Sequence, residues 1–517
     1  MYIGTAAAEF PERDAVVIGD GRARTSFGEL DDRSNQVARA CRTLGLEVGD
    51  GVLVMLENEI AFFEIWWAVM RSGLYITPVN WHLTADEVAY LVENSGARLL
   101  FFSSSLLPTV LQLLDKAPEL RAIQVGDEEV RHSRVLAYEE LLADEPASRL
   151  DRELAGSTMF YSSGTTGRPK GIRPPLSGGP PDNGASAANI TATNFGMRPG
   201  DRFLSTGPLY HAAPALWSAG MQLSGSTVVV MERFDAATAL QLLDSQQITV
   251  SQWVPTMFRR LLRLPAEVRT SLQGESHQRA WHAAAPCPVD VKRLMIEWWG
   301  PIIWEYYSGS EGGGTIISPE EWLQRPGSVG RHWRDGVTHI LDPTTFEDLP
   351  PGREGLVYFD VLPTYRFSYH NDPEKTARTY HGDLMTLGDV GYVDDEGYLF
   401  LTDRQSDTIV SGGVNIYPRE VEEILLRHER VADAAVFGIP DEEFGERVLA
   451  CVEPLTPVPD PDGLTAELDT FCRQHLAGFK CPRDYRIEAQ LPRDANGKLY
   501  KRRLRDPYWA GRKSRVI

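Results

Sequence analysis

The feature that most constrains the fold of this chain is a glycine-rich segment at residues 161–171, with the sequence YSSGTTGRPKG. Within eleven positions it holds three glycines, four serine or threonine residues and one lysine, directly after the apolar pair Met159 and Phe160. We predict a strand that opens into a loop, where backbone N–H groups, hydroxyls and the Lys170 ammonium suit a polyphosphate. The segment is not a Walker A loop, because no Gly-Lys-Ser/Thr sequence ends it and Pro169 stands where a helix should begin.

The size and charge of the chain limit the class of protein. Its 517 residues are too many for a single hydrophobic core and predict two or more domains. A hydrophobic content of 42% and a charged content of 24% are ordinary for a globular enzyme. The formal net charge of −20 argues against nucleic acid as the main partner, since a phosphate backbone favours a basic surface.

The cysteines and the apolar segments favour a cytoplasmic protein. The five cysteines form no CxxC pair, which fits reduced thiols in a cytosolic protein. The first residues contain acidic side chains and Pro11, where a signal peptide would need a basic start and an apolar run. The most apolar stretch, residues 60–70, is interrupted by Glu64 and ends at Arg71, so it predicts a buried helix rather than a membrane span. We therefore expect no integral membrane segment.

Strand-like and helix-like patterns alternate through the N-terminal part of the chain. Strands are predicted at residues 52–56, 99–102, 228–231 and 249–254, and helices at residues 60–71, 85–94 and 236–245. Acidic residues start the second of these helices and Gly96 ends it. This alternation predicts an α/β fold in which helices cover parallel sheets.

The pattern changes after Arg404. Residues 405–418 predict a strand, a glycine turn and an exit, and Pro418 then stands at the first turn of a helix that continues with acidic residues. The remainder has a βαβ-like pattern and the length of one small domain. We predict a large N-terminal domain of helix-covered sheets at residues 1–403 and a small α+β domain at residues 404–517.

Further motifs follow the glycine-rich segment in a fixed order. They are GPLYHAAP at 207–214, WHAAAP at 281–286, YYSGSEG at 306–312, LGD at 387–389 with the pair Asp403-Arg404, and DANGK at 494–498. In this order they resemble the motifs of the acyl-adenylate-forming ligases, which include acyl-CoA synthetases, luciferases and peptide-synthetase adenylation domains. The resemblance covers nearly the whole chain and is greatest to acyl-CoA synthetases. Two positions depart from the family's usual YGxTE pattern, with Ser308 for glycine and Ser310 for threonine.

The resemblance implies an acid–thiol ligase that works in two half-reactions. A small-molecule carboxylic acid and MgATP first give acyl-AMP and pyrophosphate; CoA then takes the acyl group and AMP leaves. ATP, Mg²⁺ and coenzyme A are therefore the implied cofactors and co-substrates. The small C-terminal domain is implied to be mobile and to rotate about a hinge at residues 404–406. Ser406 stands where relatives often have Asp or Lys.

The same resemblance assigns roles to individual residues. The implied catalytic residues are Lys498, His211 and Glu311, and the implied metal ligands are Glu311 and Thr166. Residues implied to bind ATP or CoA are Ser162, Ser163, Gly164, Thr165, Thr166, Gly167, Lys170, Ala284, Ala285, Tyr307, Ser310, Asp389, Arg404, Ser411, Gly412 and Gly413.

The chemistry of three of these side chains suits the roles that the resemblance gives them. Glu311 offers a hard carboxylate to Mg²⁺, which binds through one or two carboxylates plus phosphates. Two acceptor oxygens on Asp389 can take both ribose hydroxyl protons. The substrate carboxylate must attack an α-phosphate that repels it, and the Lys498 ammonium lowers that barrier.

The acid and the thiol acceptor stay open. The segments that line the acyl pocket in relatives contribute mostly small residues, which favours a long or bulky apolar acid over acetate; they are Ala212, Ala213, Trp217, Ala283, Ala284 and residues 312–314. A fatty acid is the first candidate and an aryl or alicyclic, steroid-like acid is the second. A stand-alone enzyme that loads a separate carrier protein is an alternative, because no carrier domain follows Lys498. A luciferase-type oxygenase would share every motif, whereas no GxSxG elbow supports a hydrolase. Homodimers are common among relatives, so a homodimer is an expectation by analogy.

Overall fold

The computed structural model describes residues 2–126, 132–162, 169–183, 187–333, 336–361, 366–404, 407–411, 414–442, 444–493 and 499–510. Its helices are α1 (Ile3–Glu9), α2 (Phe27–Thr43), α3 (Ile60–Met70), α4 (Ala85–Ser95), α5 (Leu107–Lys116), α6 (Tyr138–Leu142), α7 (Ala187–Asn194), α8 (Ala212–Leu223), α9 (Ala236–Ser245), α10 (Pro255–Leu262), α11 (Ala266–Arg269), α12 (Val289–Trp299), α13 (Pro319–Gln324), α14 (Pro373–Thr379), α15 (Pro418–Leu425), α16 (Pro461–His475) and α17 (Lys501–Trp509).

The strands are β1 (Asp14–Ile18), β2 (Ala23–Ser26), β3 (Gly51–Met55), β4 (Tyr75–Pro78), β5 (Leu99–Ser103), β6 (Arg121–Val125), β7 (Val135–Ala137), β8 (Ser157–Thr158), β9 (Phe160–Ser162), β10 (Lys170–Arg173), β11 (Arg202–Ser205), β12 (Thr227–Val230), β13 (Val250–Trp253), β14 (Arg279–His282), β15 (Ile303–Gly309), β16 (Gly312–Ile317), β17 (Arg331–His332), β18 (Thr338–Leu341), β19 (Gly355–Asp360), β20 (Ser368–Tyr369), β21 (Tyr380–His381), β22 (Leu384–Val393), β23 (Leu399–Arg404), β24 (Ile409–Ser411), β25 (Val414–Ile416), β26 (Val431–Asp441), β27 (Gly445–Pro454) and β28 (Asp484–Ile487).

Two sheets with parallel strands form the body of the N-terminal part. The first has the order β17-β16-β15-β14-β13-β11-β12-β1-β2, parallel from β15 to β1 and antiparallel at both edges. The second has the order β7-β6-β5-β3-β4-β8 and is parallel throughout. Parallel neighbours need long crossover connections, and the helices between the strands supply them. The predicted strands and helices of this region are present at the predicted places.

Helices pack between the two sheets. The buried side chains of α2, α3 and α8 share one core with residues of both sheets, such as Val16, Val54 and Phe203. Helices α9, α10 and α12 pack on the other face of the first sheet, and α4 and α5 on the other face of the second. The predicted α/β class with helix-covered sheets is confirmed.

Local sequence sets the ends of these helices. Thr84 and Glu87 form a capping box that begins α4, each side chain accepting a hydrogen bond from the other's backbone N–H. Gly96 ends the helix with φ at 67°, a left-handed conformation that favours glycine. The apolar helix α3 is buried along nearly its whole length, as predicted. Among the described residues, no helix combines the length and apolar character needed to cross a bilayer.

Smaller sheets follow the two parallel ones. Strands β9, β10 and β20 form an antiparallel sheet of their own, and β22 joins β19, β21 and β23 in a second antiparallel sheet. The C-terminal sheet has the order β25-β24-β27-β26, with β28 parallel to β27 after α16. Strand β23, which ends at Arg404, thus pairs with β22, whereas β24 pairs in the C-terminal sheet. The division into residues 1–403 and 404–517 stays a prediction.

Candidate active site

The strands on both sides of the glycine-rich loop are paired with each other. Strand β9 runs antiparallel to β10, with Lys170 opposite Ser162 and Ile172 opposite Phe160. The predicted strand before the loop is therefore present. The predicted ligands Ser163, Gly164, Thr165, Thr166 and Gly167 lie outside the described residues, and so does the side chain of Ser162.

Lys170, at the exit of the loop, is held by a residue from a distant part of the chain. Strand β10 pairs with β20, which brings the start of α14 next to the loop. The Lys170 Nζ lies 2.7 Å from Oδ2 of Asp372, the residue that caps α14. This contact raises the pKa of Lys170 and lowers that of Asp372. Both groups are therefore charged at neutral pH.

Glu311 lies in the turn between β15 and β16 and contacts the same distant segment. The Tyr369 hydroxyl donates a hydrogen bond of 2.9 Å to Glu311 Oε1. Burial, followed by the Glu311 charge, raises the pKa of Tyr369. The described residues contain no group of three candidate metal ligands. One partly exposed carboxylate still fits Mg²⁺, because this ion takes one or two carboxylates and completes its shell with phosphates and water.

The serine that departs from the family pattern beside Glu311 closes the turn. Ser308 Oγ donates to the Gly313 carbonyl at 2.7 Å and so links β15 to β16. A side chain at Gly309, in contrast, would place its Cβ 2.8 Å from Glu311 Oε2. The turn thus accommodates the Ser308 side chain, whereas a side chain at Gly309 would displace the Glu311 carboxylate. Ser310 is exposed beside them.

Tyr307 and Asp389, which the sequence assigns to nucleotide binding, are in direct contact. The Tyr307 hydroxyl donates a short hydrogen bond to Asp389 Oδ2 across β15 and β22. Asp389 is buried, and its backbone pairs with that of Arg404 on β23. The side chain of Arg404 lies outside the described part. Two motifs whose contacting residues are 82 positions apart in the sequence therefore meet at one place.

The turn after β14 carries Ala284 and Ala285. Ala284 is exposed and has φ at 72°, a left-handed conformation that costs energy for any residue except glycine. Strained backbone of this kind is frequent where a ligand approaches the main chain.

His211 stands at the N-cap of α8, half-buried, with its ring centroid 4.4 Å from that of Tyr210.

Comparisons with known proteins agree with this geometry. The family of AMP-binding enzymes matches residues 4–360, and its C-terminal domain matches residues 420–498. The chain belongs to the AMP-binding enzyme family. The predicted acyl-adenylate-forming acid–thiol ligase is therefore confirmed at the level of the family.

Individual relatives span almost the whole chain. The fatty acid–[acyl-carrier-protein] ligase ScoC of Streptomyces coeruleorubidus is 32% identical, over 95% of this chain and 93% of its own. The 2-succinylbenzoate–CoA ligase of Bacillus licheniformis is 30% identical, over 96% and 97%. The structure of o-succinylbenzoate CoA synthetase from Bacillus subtilis with its acyl-adenylate intermediate superimposes with a TM-score of 0.81 at 26% identity, over 97% of both chains.

Aromatic side chains cluster beside Trp217, which the sequence analysis assigned to the acyl pocket. Phe195, directly after α7, has ring centroids 4.6, 4.9 and 5.0 Å from those of Trp217, Trp281 and Tyr306. All four side chains are buried. The sequence-based prediction of a region lined mostly by small side chains omitted Phe195 and Tyr306. These four rings therefore pack together between α8 and β14–β15, and the pocket lined by small side chains stays a prediction.

Several residues that the sequence analysis assigned to the site are not among those that the structure describes. Lys498, Ser406, Gly412 and Gly413 lie outside the described residues. Ser411 ends β24, opposite Val414. Conversely, the site contains Tyr369 and Asp372, which the sequence analysis did not single out. The one local signal for them was the run Asp-Pro-Glu, which is typical of a helix start.

Proposed function

We propose that the chain is an ATP-dependent acyl-CoA synthetase that activates a carboxylic acid with an apolar body. The observation that carries this proposal is the convergence of two charged groups from separate motifs. Lys170 from the phosphate-loop motif and Glu311 from the metal motif both contact one short segment, through Asp372 and Tyr369. One group suits a phosphate and the other a divalent cation, which is the combination that MgATP requires.

In the first half-reaction the acid carboxylate attacks the α-phosphorus of ATP. The bond from that phosphorus to the bridging oxygen of pyrophosphate breaks, and acyl-AMP forms. Lys170 and the loop residues would hold the β- and γ-phosphates, while Asp389 and Tyr307 would hold the ribose. Mg²⁺ on Glu311 and Thr166 would neutralise charge on the phosphates. Lys498 would offset the repulsion between the attacking carboxylate and the α-phosphate.

In the second half-reaction the CoA thiolate attacks the acyl carbon and AMP leaves. Acyl-AMP is a mixed anhydride with a good leaving group, which a free carboxylate lacks. Rotation about Ser406 would remove Lys498 from the site and bring Ser411, Gly412 and Gly413 to the pantetheine. The Ser411 strand pairs with β27 within the C-terminal sheet, so the turn would move with that sheet as one unit.

For the acid, a fatty acid is the first candidate and an aryl or alicyclic acid the second. The 32% identical relative named as a fatty acid ligase supports the first. The buried cluster of Phe195, Trp217, Trp281 and Tyr306 supports the second, because closely packed rings leave little preformed depth for a long chain. The same relative acts on a carrier protein, so a carrier thiol is the alternative acceptor.

The test is release of pyrophosphate and AMP from MgATP across a panel of fatty, aryl and alicyclic acids. Each acid is supplied alone, with CoA, and with a phosphopantetheinylated carrier protein, and products are identified by mass spectrometry. Turnover that depends on CoA and yields acyl-CoA is the expected result, and the best acid gives the substrate class. Turnover with the carrier protein and none with CoA would replace the proposed acceptor. Absence of acid-dependent pyrophosphate release with every acid would refute the proposed function.

A further inference from the structure

A second lysine stands beside the two charged groups of the proposed MgATP site. Lys375 lies on the first turn of α14, three residues after Asp372, and is half-buried. Its Nζ lies 3.9 Å from the centroid of the Tyr369 ring, and the hydroxyl of that same ring binds Glu311. Lys375 therefore lies on the same side of the proposed site as Lys170 and Glu311.

The charges around Lys375 balance only while the site is without nucleotide. Lys170 and Lys375 are the cations of this group, and Asp372 and Glu311 are the anions. Burial lowers the pKa of Lys375, whereas the Glu311 and Asp372 carboxylates raise it. Within the described residues, Lys375 forms no ion pair at contact distance, in contrast to Lys170. A half-buried ammonium that lies against an aromatic ring, between two carboxylates, can take an anion without first breaking a salt bridge.

Binding of MgATP would make this part of the site more negative. A metal on Glu311 would neutralise the carboxylate closest to the Tyr369 hydroxyl, and the triphosphate would add several negative charges at the same place. The Lys170 ammonium is shared with Asp372, so it offsets only part of that charge. Lys375 is the next cation of the described site, and its flexible stem lets the ammonium turn from the ring to a phosphate oxygen.

We propose that Lys375 binds the β- and γ-phosphates of ATP, and the pyrophosphate that leaves, as a second cation beside Lys170. Tyr369 holds the Lys375 ammonium at the site until the nucleotide arrives. The inference rests on the proposed function, because it assigns a further binding residue to the same nucleotide site. It concerns a segment, residues 368–379, that none of the sequence motifs includes.

The test compares MgATP with AMP, which lacks the β- and γ-phosphates and the metal ion that they bind. Affinities for MgATP and for AMP are measured by calorimetry, without any acid, on the wild type, Lys375→Gln and Lys375→Arg. The control is Arg378→Gln, which removes a positive charge from the same helix at a side chain that is 82% exposed. We expect Lys375→Gln to weaken MgATP binding about tenfold, the effect of one lost charge-assisted hydrogen bond. AMP affinity should be unchanged, Lys375→Arg should keep most of the MgATP affinity, and the control should match the wild type.

Four results would overturn the inference. Equal MgATP affinity of the wild type and Lys375→Gln would show that Lys375 does not bind these phosphates. Equal weakening of MgATP and AMP, with a lower melting temperature, would show that Lys375 only supports the fold of α14. A wild type that binds AMP but not MgATP would also refute it. A wild type that binds neither nucleotide would refute the proposed function together with the inference, so the two failures are distinguishable.

Discussion

The Lys292 ammonium lies 2.7 Å from the Glu305 carboxylate between α12 and β15, where the Lys292 side chain is fully buried and 9% of the Glu305 side chain is exposed. His282 of β14 lies 3.4 Å from the same carboxylate, and burial, with the Lys292 charge, keeps the His282 pKa well below its usual value. The neutral imidazole and the ion pair thus join α12 to the two strands that lead into the Ala284 and Glu311 turns.

Removing one partner of this ion pair should destabilise the protein strongly. In Lys292→Met the Glu305 charge would be left in the interior, and we expect a loss of about 3–5 kcal/mol in the free energy of unfolding. The double variant Lys292→Met/Glu305→Gln should recover most of that loss, because neither side chain is then charged. Urea-induced unfolding measures the free energy of unfolding of the single and of the double variant. Equal losses in the single and double variants would show that packing, and not the uncompensated charge, dominates at this place.

His277 should make stability depend on pH. Burial lowers its pKa to about 4, and its Nε2 lies 2.6 Å from the Ser251 hydroxyl, which in turn accepts a bond from the Trp253 indole. The Ser251 hydroxyl therefore donates to a neutral ring. Because the folded-state pKa is below the unfolded value near 6.5, this contribution is complete above pH 6.5 and is lost as the pH falls toward 4.

The size of that pH effect can be isolated with one variant. Between pH 7.5 and pH 5 the wild type should lose about 2 kcal/mol of unfolding free energy through His277. His277→Gln, which can still accept the Ser251 bond, should lower stability at pH 7.5 but reduce the pH dependence by that amount. Parallel pH profiles of the two proteins would show that His277 titrates normally in the folded state.

Asp372 should compete with phosphate for Lys170. Its Oδ1 also accepts the Lys375 backbone N–H at 3.0 Å and caps α14. Asp372→Asn keeps this cap and removes the charge that holds the Lys170 ammonium, so MgATP affinity should rise about threefold, as for one partly exposed ion pair. Glu374→Gln, on the same turn with a side chain that is 83% exposed, is the matched control. Weaker MgATP binding in Asp372→Asn would instead indicate that the carboxylate contributes to the metal site.

The elements of the fold could be predicted from local sequence, and the closest contacts of the site could not. Helix α9 spans the predicted residues 236–245, and α4 ends before Gly96 as its glycine indicates, because apolar spacing and caps act within a few residues. The contact of Lys170 with Asp372 depends on the pairing of β10 with β20, about two hundred residues apart, as Ile172 opposite Tyr369 shows. Sequence alone would likewise predict that Lys292 and Glu305 are exposed, because charged side chains usually are. Only the packing of α12 on β15 shows that they form a buried ion pair.

Lys498 should serve one half-reaction and not the other. Its ammonium is needed when the acid carboxylate attacks the negatively charged α-phosphorus centre, whereas the thiolate attacks an uncharged acyl carbon. Lys498→Ala should therefore lose adenylation by about a hundredfold or more, while it keeps the transfer of the acyl group from supplied acyl-AMP to CoA. Arg503→Ala, an exposed cation in the following helix, should affect neither step. Equal loss of both half-reactions would show that Lys498 is not specific to adenylation.

The aromatic cluster should limit the length of the acid. Phe195 is 6% exposed and contacts Trp217, Trp281 and Tyr306 between α8 and the strands β14 and β15. Phe195→Leu shortens this side chain with little loss of apolar character and opens space within the cluster. Because each methylene group that finds an apolar pocket contributes about 1–3 kcal/mol to discrimination, kcat/KM for dodecanoic over octanoic acid should rise about tenfold.

The control for this change is Phe258→Leu, at a buried phenylalanine on α10 that packs on the other face of the first sheet. Phe258→Leu should lower the free energy of unfolding about as much as Phe195→Leu does. The ratio of kcat/KM for dodecanoic over octanoic acid should stay as in the wild type. A ratio that moves in both variants would indicate a general loosening of the fold. A ratio that moves in neither variant would place the acyl chain away from Phe195, because filling the opened space would otherwise favour the longer acid.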